Sequence, residues 1–203
     1  MIMQLLKSAT KPHHDKVEEL AYSNKIMEGT INIEEYKELL LKQHYFHKNI
    51  EPFFEKVFSE KEAIRLEVER RKKTHLLKYD LLELGLEEEA LNFEQLPHLK
   101  IETAEEAIGA MYVLEGSTLG GAVIRRKLGK NEKIKGNSSF NYYGCYGEET
   151  GEFWKKFIMQ ATIMANTEEK QEVIVNKAIE AFVYFENILK LGIVTFKPQH
   201  QSL

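Results

Sequence analysis

Residues 109–121, GAMYVLEGSTLGG, set four glycines inside a stretch whose apolar spacing otherwise reads as helix, and this conflict constrains the chain most. An interior glycine costs a helix about 0.5–1 kcal/mol relative to alanine. At about 100° per residue, Gly109, Gly116 and Gly120 fall on one narrow stripe. A bare stripe of backbone admits a close neighbour, either a second helix crossing at short range or a flat ligand laid on the backbone. Both need the missing Cβ, and the spacing alone does not choose between them.

The surroundings of that stripe read as helical throughout. Residues 1–20 mix apolar and charged residues at helical spacing, with Ser8 or Thr10 as a local cap and an irregularity expected near Pro12. Asn32 with Glu35 three residues later forms a capping-box pattern. It opens a periodic run through Tyr36, Leu39, Leu40, Phe46, Ile50, Phe53, Phe54 and Val57, which Pro52 should kink. Residues 61–84 predict a third helix closed by Gly85. Residues 86–102 read as a connection with room for a short helical turn near Pro97. Thr103 and Glu106 then open the glycine-bearing helix, expected to run to about Leu128. A loop rich in Gly, Asn, Ser and Tyr over 137–151 precedes two more amphipathic helices at 152–166 and 168–191. No alternating strand pattern or internal repeat occurs. The expectation is an all-α multi-helical bundle forming a single domain over residues 1–203, because no composition shift divides the chain.

Charge and cysteine content narrow the function. Lys and Arg total 28 against 32 Asp and Glu, a net charge of -4, which lacks the basic excess of a nucleic-acid binder. The single cysteine, Cys145, allows neither an internal disulfide nor a multi-thiolate metal site. No run of about 18 apolar residues offers a membrane span, and the apolar start is too short for a signal peptide, so a cytoplasmic protein without membrane association is expected.

Lys7, Thr10, His14 and Glu18 follow at steps of three, four and four and share one face of the first helix. A neutral imidazole there could ligate a metal, with His13 as good a candidate on composition. His44, His47 and Glu51 also share a helical face. A di-iron bundle should show Glu-x-x-His pairs on two helices, however, and the chain contains none, so these three read as polar residues on an amphipathic helix. Arg125, Arg126 and Lys127 read as a solvated basic face.

Together these blocks resemble a known family. LKSATKPHHDKVEE is similar to the proximal helix of heme oxygenases, where a threonine is followed four residues later by the axial histidine and four after that by a glutamate. YVLEGSTLGG resembles the distal helix of the bacterial members, and YDLLELG and YYGCYGEETGEFWKKF resemble further blocks in the same order. The resemblance runs from about Lys7 to Phe185. It selects His14 as the iron ligand, Glu18 as its neighbour and Lys7 as the cation for a heme propionate. It also implies Gly116, Gly120 and Gly121 as the glycines that let the distal helix lie over the porphyrin. Tyr112 would meet a propionate, and Phe182, Tyr184 and Phe185 would line the pocket. Ser117 stands where many members carry an aspartate that organises distal water, so its hydroxyl and the Gly116 carbonyl would hold that water instead.

The resemblance implies heme as both substrate and cofactor, cleaved with O2 to biliverdin, carbon monoxide and ferrous iron. Electrons would come from a partner such as a ferredoxin or a flavin reductase, because no nucleotide-binding glycine fingerprint follows a strand. Two alternatives share the architecture: a heme carrier or sensor that has lost turnover, and a thiaminase II-like enzyme, which would need an activated cysteine.

Overall fold

The computed structural model describes residues 1–86 and 98–192. Among them no strand occurs, and the all-α expectation holds. Helix α1 (Ile2–Leu20) is continuous through Pro12. Ser8 and Thr10 are not caps. Their hydroxyls donate back one turn to the carbonyls of Gln4 at 2.9 Å and Leu6 at 2.8 Å, the usual use of a hydroxyl inside a helix. A turn through Tyr22, at φ 57°, leads into α2 (Ser23–Glu28).

Helix α3 (Ile33–Val57) begins as the sequence predicts. Asn32 Oδ1 accepts from the Glu34 and Glu35 amides at 3.0 Å, and Glu35 returns the bond to the Asn32 amide. The helix continues through Pro52 to Val57.

The predicted third helix is three shorter ones, α4 (Glu60–Leu66), α5 (Val68–Arg71) and α6 (Thr74–Glu83). The interruption at Glu67, φ 52°, lets the buried Arg71 fold back and donate to the Leu66 carbonyl, which the end of α4 leaves unpaired. No glycine or proline marks that break, so periodicity alone runs through it. Gly85, at φ 70°, closes α6 as expected. The short turn expected near Pro97 lies outside the described residues.

The glycine-bearing helix is likewise two, α7 (Ala104–Leu119) and α8 (Gly121–Leu128), bent by 45° at Gly120. Its Thr103–Glu106 capping box forms as predicted. Two 3₁₀ turns, Tyr142–Gly144 and Gly147–Glu149, punctuate the following loop, and α9 (Thr150–Met164) and α10 (Glu168–Lys190) complete the bundle. Helix α10 packs on α7 and α1, and α3 on α6 and α7, so α7 runs through the core with Ile108, Ala110 and Met111 fully buried. No single described helix is long and apolar enough to cross a membrane.

Candidate functional site

The glycine stripe divides in the structure. A Cβ on Gly109 would collide with the Ile174 carbonyl and lie 2.9 Å from Lys177 Cβ, so this glycine serves the crossing of α7 and α10. Around a Cβ placed on Gly116 there is no heavy atom within 4 Å, and on Gly120 only Ile124 Cδ1 at 3.9 Å. Gly121 is turned away from that open side, against the Tyr143 carbonyl, where a Cβ would sit 2.6 Å from the oxygen. The stripe therefore serves a helix crossing at Gly109 and leaves open backbone at Gly116 and Gly120. Gly109→Ala is expected to destabilise the protein by about 1–3 kcal/mol through overpacking. Gly116→Ala should leave heme-free stability unchanged or raise it by up to about 1 kcal/mol through helix propensity, and thermal or urea unfolding of both variants checks the contrast.

The open side of the stripe borders a cleft of about 490 Å³ between the first two helices and α8, a volume within the range of small-molecule and cofactor sites. Asp15, Glu18 and Met27 lie on one wall, and Gly120, Val123 and Ile124 on the other. Met27, Leu119 and Val123 are exposed apolar side chains, so a ligand entering here removes apolar surface from water.

The two adjacent histidines of α1 have different surroundings. His13 Nδ1 is 2.7 Å from Glu186 Oε1 on α10 and half-buried. His14 is exposed over 56% of its side chain, with Nδ1 3.7 Å from Glu18 Oε2 and 3.8 Å from Asp15 Oδ1. Its ring meets Phe182 edge-on at 6.1 Å. His14, Asp15 and Glu18 offer ligand atoms within 4.8 Å of one another. Along the same helix Lys7 is exposed and Thr10 is buried, its hydroxyl adjoining that of the half-buried Tyr112. Of the other aromatics of α10, Phe185 stacks on Phe46 at 4.4 Å and Tyr184 tilts against the same ring at 6.1 Å, placing both in the core.

A polar chain leads inward from Ser117, three residues before the cleft-lining Gly120. Ser117 Oγ donates to the Leu114 carbonyl at 2.7 Å and lies 3.2 Å from the Tyr142 hydroxyl. That hydroxyl is 3.1 Å from His47 Nε2, and His47 Nδ1 is 2.8 Å from Glu51 Oε1. Glu51 also accepts from the Lys73 amide at 2.7 Å and from the Thr74 amide and hydroxyl at 3.1 and 2.6 Å. Burial raises the Glu51 carboxyl, but bonds from His47, Thr74 and Lys73 outweigh it and hold the group down at about 2. With Glu51 an anion, Nδ1–H faces it; because Ser117 gives its proton to the Leu114 carbonyl, the single Tyr142 hydroxyl proton serves either Ser117 Oγ or His47 Nε2 at any one time. His47 and Glu51 are thus buried members of a network rather than polar residues on an amphipathic surface. Their i, i+4 spacing was visible in the sequence; the partner that gives them meaning, Tyr142, lies 95 residues from His47.

Next to Gly116, Glu115 accepts from Arg71, from Lys73 Nζ at 2.6 Å and from the Tyr146 hydroxyl at 2.8 Å, in a group with Glu115, Arg71 and Lys73 at most 1% exposed. Cys145 adjoins this cluster, and burial pushes its thiol up to about 11, the opposite of an activated nucleophile.

Helical architecture and cleft together define an all-α protein with an open cleft between its first two helices and a bent, glycine-bearing pair. The heme oxygenase family model matches residues 1–190, and the chain belongs to that family. Two solved structures are similar. A heme oxygenase from Neisseria meningitidis, with NO and CO bound, is 25% identical with a TM-score of 0.73, over 94% of this chain and 90% of that one. Heme oxygenase from Leptospira interrogans, at 14% identity and a TM-score of 0.75 over 93% and 98% of the two chains, shares the fold. No curated protein gives a significant sequence match.

Proposed function

We propose that this protein cleaves heme to biliverdin with release of carbon monoxide and ferrous iron, using O2 and electrons from a partner such as a ferredoxin or a flavin reductase. The observation that carries the reading is the open space over Gly116 and Gly120, with Gly120 on a cleft whose other wall comes from the helix that presents His14. The residues fit heme: bare backbone and exposed apolar side chains suit the face of a large ring, and His14, next in sequence to the cleft-lining Asp15, supplies a nitrogen.

In this reading His14 would hold the iron, and the carboxylates of Glu18 and Asp15 near Nδ1 would attract the N–H there and raise the basicity of the other ring nitrogen. Phe182 limits rotation of that ring. Asp15, Glu18 and Glu19 make their end of the cleft acidic and repel the heme propionates. Lys7, eleven residues before Glu18 and about 16 Å away along the helix, attracts them, with Thr10 and Tyr112 beside the path. Heme supplies the iron that binds and activates dioxygen. On the distal side Gly116 and Gly120 bring backbone close to that ligand, and Gly121 anchors the bend. Ser117 Oγ holds a water and, through Tyr142, connects it to the buried His47–Glu51 pair. A hydroxyl can both donate and accept, so protons can be relayed without a strong acid standing over the ligand.

The deciding experiment is a hemin titration followed by a reductant under oxygen, read in the visible spectrum. The expected result is a one-to-one complex that converts to biliverdin. Tight binding without conversion would make the protein a carrier or sensor, and no saturable binding would overturn the heme reading altogether.

A further inference from the structure

We propose that Asp80 is a positioning residue for the distal proton path, acting through Tyr142; the inference rests on the heme oxygenase reading above. Asp80 lies on α6, fully buried, and its carboxylate is spent on two consecutive residues of the 137–151 loop. Oδ1 accepts from the Asn141 amide at 2.7 Å and Nδ2 at 2.9 Å, and Oδ2 accepts from the Tyr142 amide at 2.9 Å. One helical turn later Glu83 takes the Ser139 amide at 2.6 Å and hydroxyl at 2.7 Å. Between these anchors Phe140 adopts φ 53°, a conformation that a bulky residue keeps only where its surroundings over-determine it. The two carboxylates provide that determination.

The consequence falls on the Tyr142 hydroxyl. Its ring stands edge-on to His47 at 5.3 Å, and its oxygen bridges Ser117 and His47 at distances that leave little slack. A relay of this kind fails when its middle member moves by about 1 Å, because hydrogen bonds weaken steeply with distance and angle. Burying a carboxylate is costly unless it is hydrogen-bonded, and here all three bonds fix the stretch of backbone that begins the Tyr142–Gly144 turn. Asp80 touches neither the cleft lining nor Ser117, so its influence on the distal side has to travel through that loop.

The test is a double-mutant cycle of Asp80→Asn and Tyr142→Phe. It is read as the midpoint pH of the acid–alkaline spectral change of the ferric heme complex, with hemin affinity measured alongside. Each single variant should move the midpoint in the same direction by about 0.5–1 pH unit, the equivalent of one hydrogen bond. The double variant should move it no further than Tyr142→Phe alone, with hemin affinity within about twofold of wild type. A midpoint unmoved by Asp80→Asn, or two shifts that add, would overturn the proposal. If Asp80→Asn does not fold, Asn141→Ala removes one of the three bonds and should give a smaller shift in the same direction; no shift would overturn it equally. Amide exchange of Tyr142 in heme-free protein keeps the two readings apart. Wild type that fails to bind hemin sinks the function, whereas a Tyr142 amide exchanging no faster in Asp80→Asn sinks the clamp.

Discussion

Hemin added to His14→Ala protein is expected to bind about 100-fold more weakly or worse, to lack the spectrum of a histidine-ligated iron, and to yield no biliverdin with reductant and oxygen. The magnitude follows from metal sites in which losing only an outer-shell partner of a ligand already costs 10–100-fold; here the ligand itself is removed. Stability of the heme-free variant should stay within about 0.5 kcal/mol of wild type, because a mostly exposed side chain that meets Phe182 only edge-on rarely matters more. Added imidazole should restore ligation. The neighbouring His13→Ala gives the opposite pattern. It removes the 2.7 Å partner of Glu186 and leaves that carboxylate its longer 3.4 Å pairing with Lys190, so stability should fall by about 1 kcal/mol while iron ligation persists. If His13→Ala abolishes ligation and His14→Ala keeps it, the two histidines exchange roles and the cleft must be entered from the α10 side.

The contrast between these histidines shows what the sequence carries and what it leaves out. Helix starts were legible because capping is a local event: Asn32 with Glu35 and Thr103 with Glu106 close their boxes within four residues, and both form. Breaks were not legible where their cause is distant. Helices α4 and α5 separate at Glu67 and α5 and α6 at Lys72 and Lys73, where Arg71 and Lys73 turn inward to reach Glu115, more than forty residues on. Similarly, the bend after Leu119 is set where the Tyr143 carbonyl presses on Gly121. The glycine stripe was visible as a pattern, but its division into a packing glycine and two open ones depends on where α10 lies, which no spacing within α7 reveals. For the candidate site, the His14 face was a local pattern and Ser117 came only with the family resemblance. The Ser117–Tyr142–His47–Glu51 chain was not, since its members come from three separate segments.

That distant cause has the largest expected effect on stability. Glu115→Ala should destabilise the protein by about 3–5 kcal/mol, because it leaves the Arg71 guanidinium and the Lys73 ammonium buried with no anion between them. For a chain of this size that corresponds to a fall in Tm of roughly 10 °C, measurable by differential scanning calorimetry. The loss measures the stranded charges rather than the worth of the triad. Replacing Arg71, Lys73 and Glu115 together by Met, Met and Leu removes charge and partner at once, and should recover most of the stability. Turnover should not recover with it. Lys73 uses its side chain on Glu115, beside Gly116, and its backbone amide on Glu51, which orients His47, so the ionic cluster ties the distal helix and the distal path to the same short link between α5 and α6. An apolar triad packs without fixing that register. A triple variant that regains both Tm and wild-type heme cleavage would show that packing alone suffices to set the distal side, and a Glu115→Ala loss below about 1 kcal/mol would show that water already reaches the cluster.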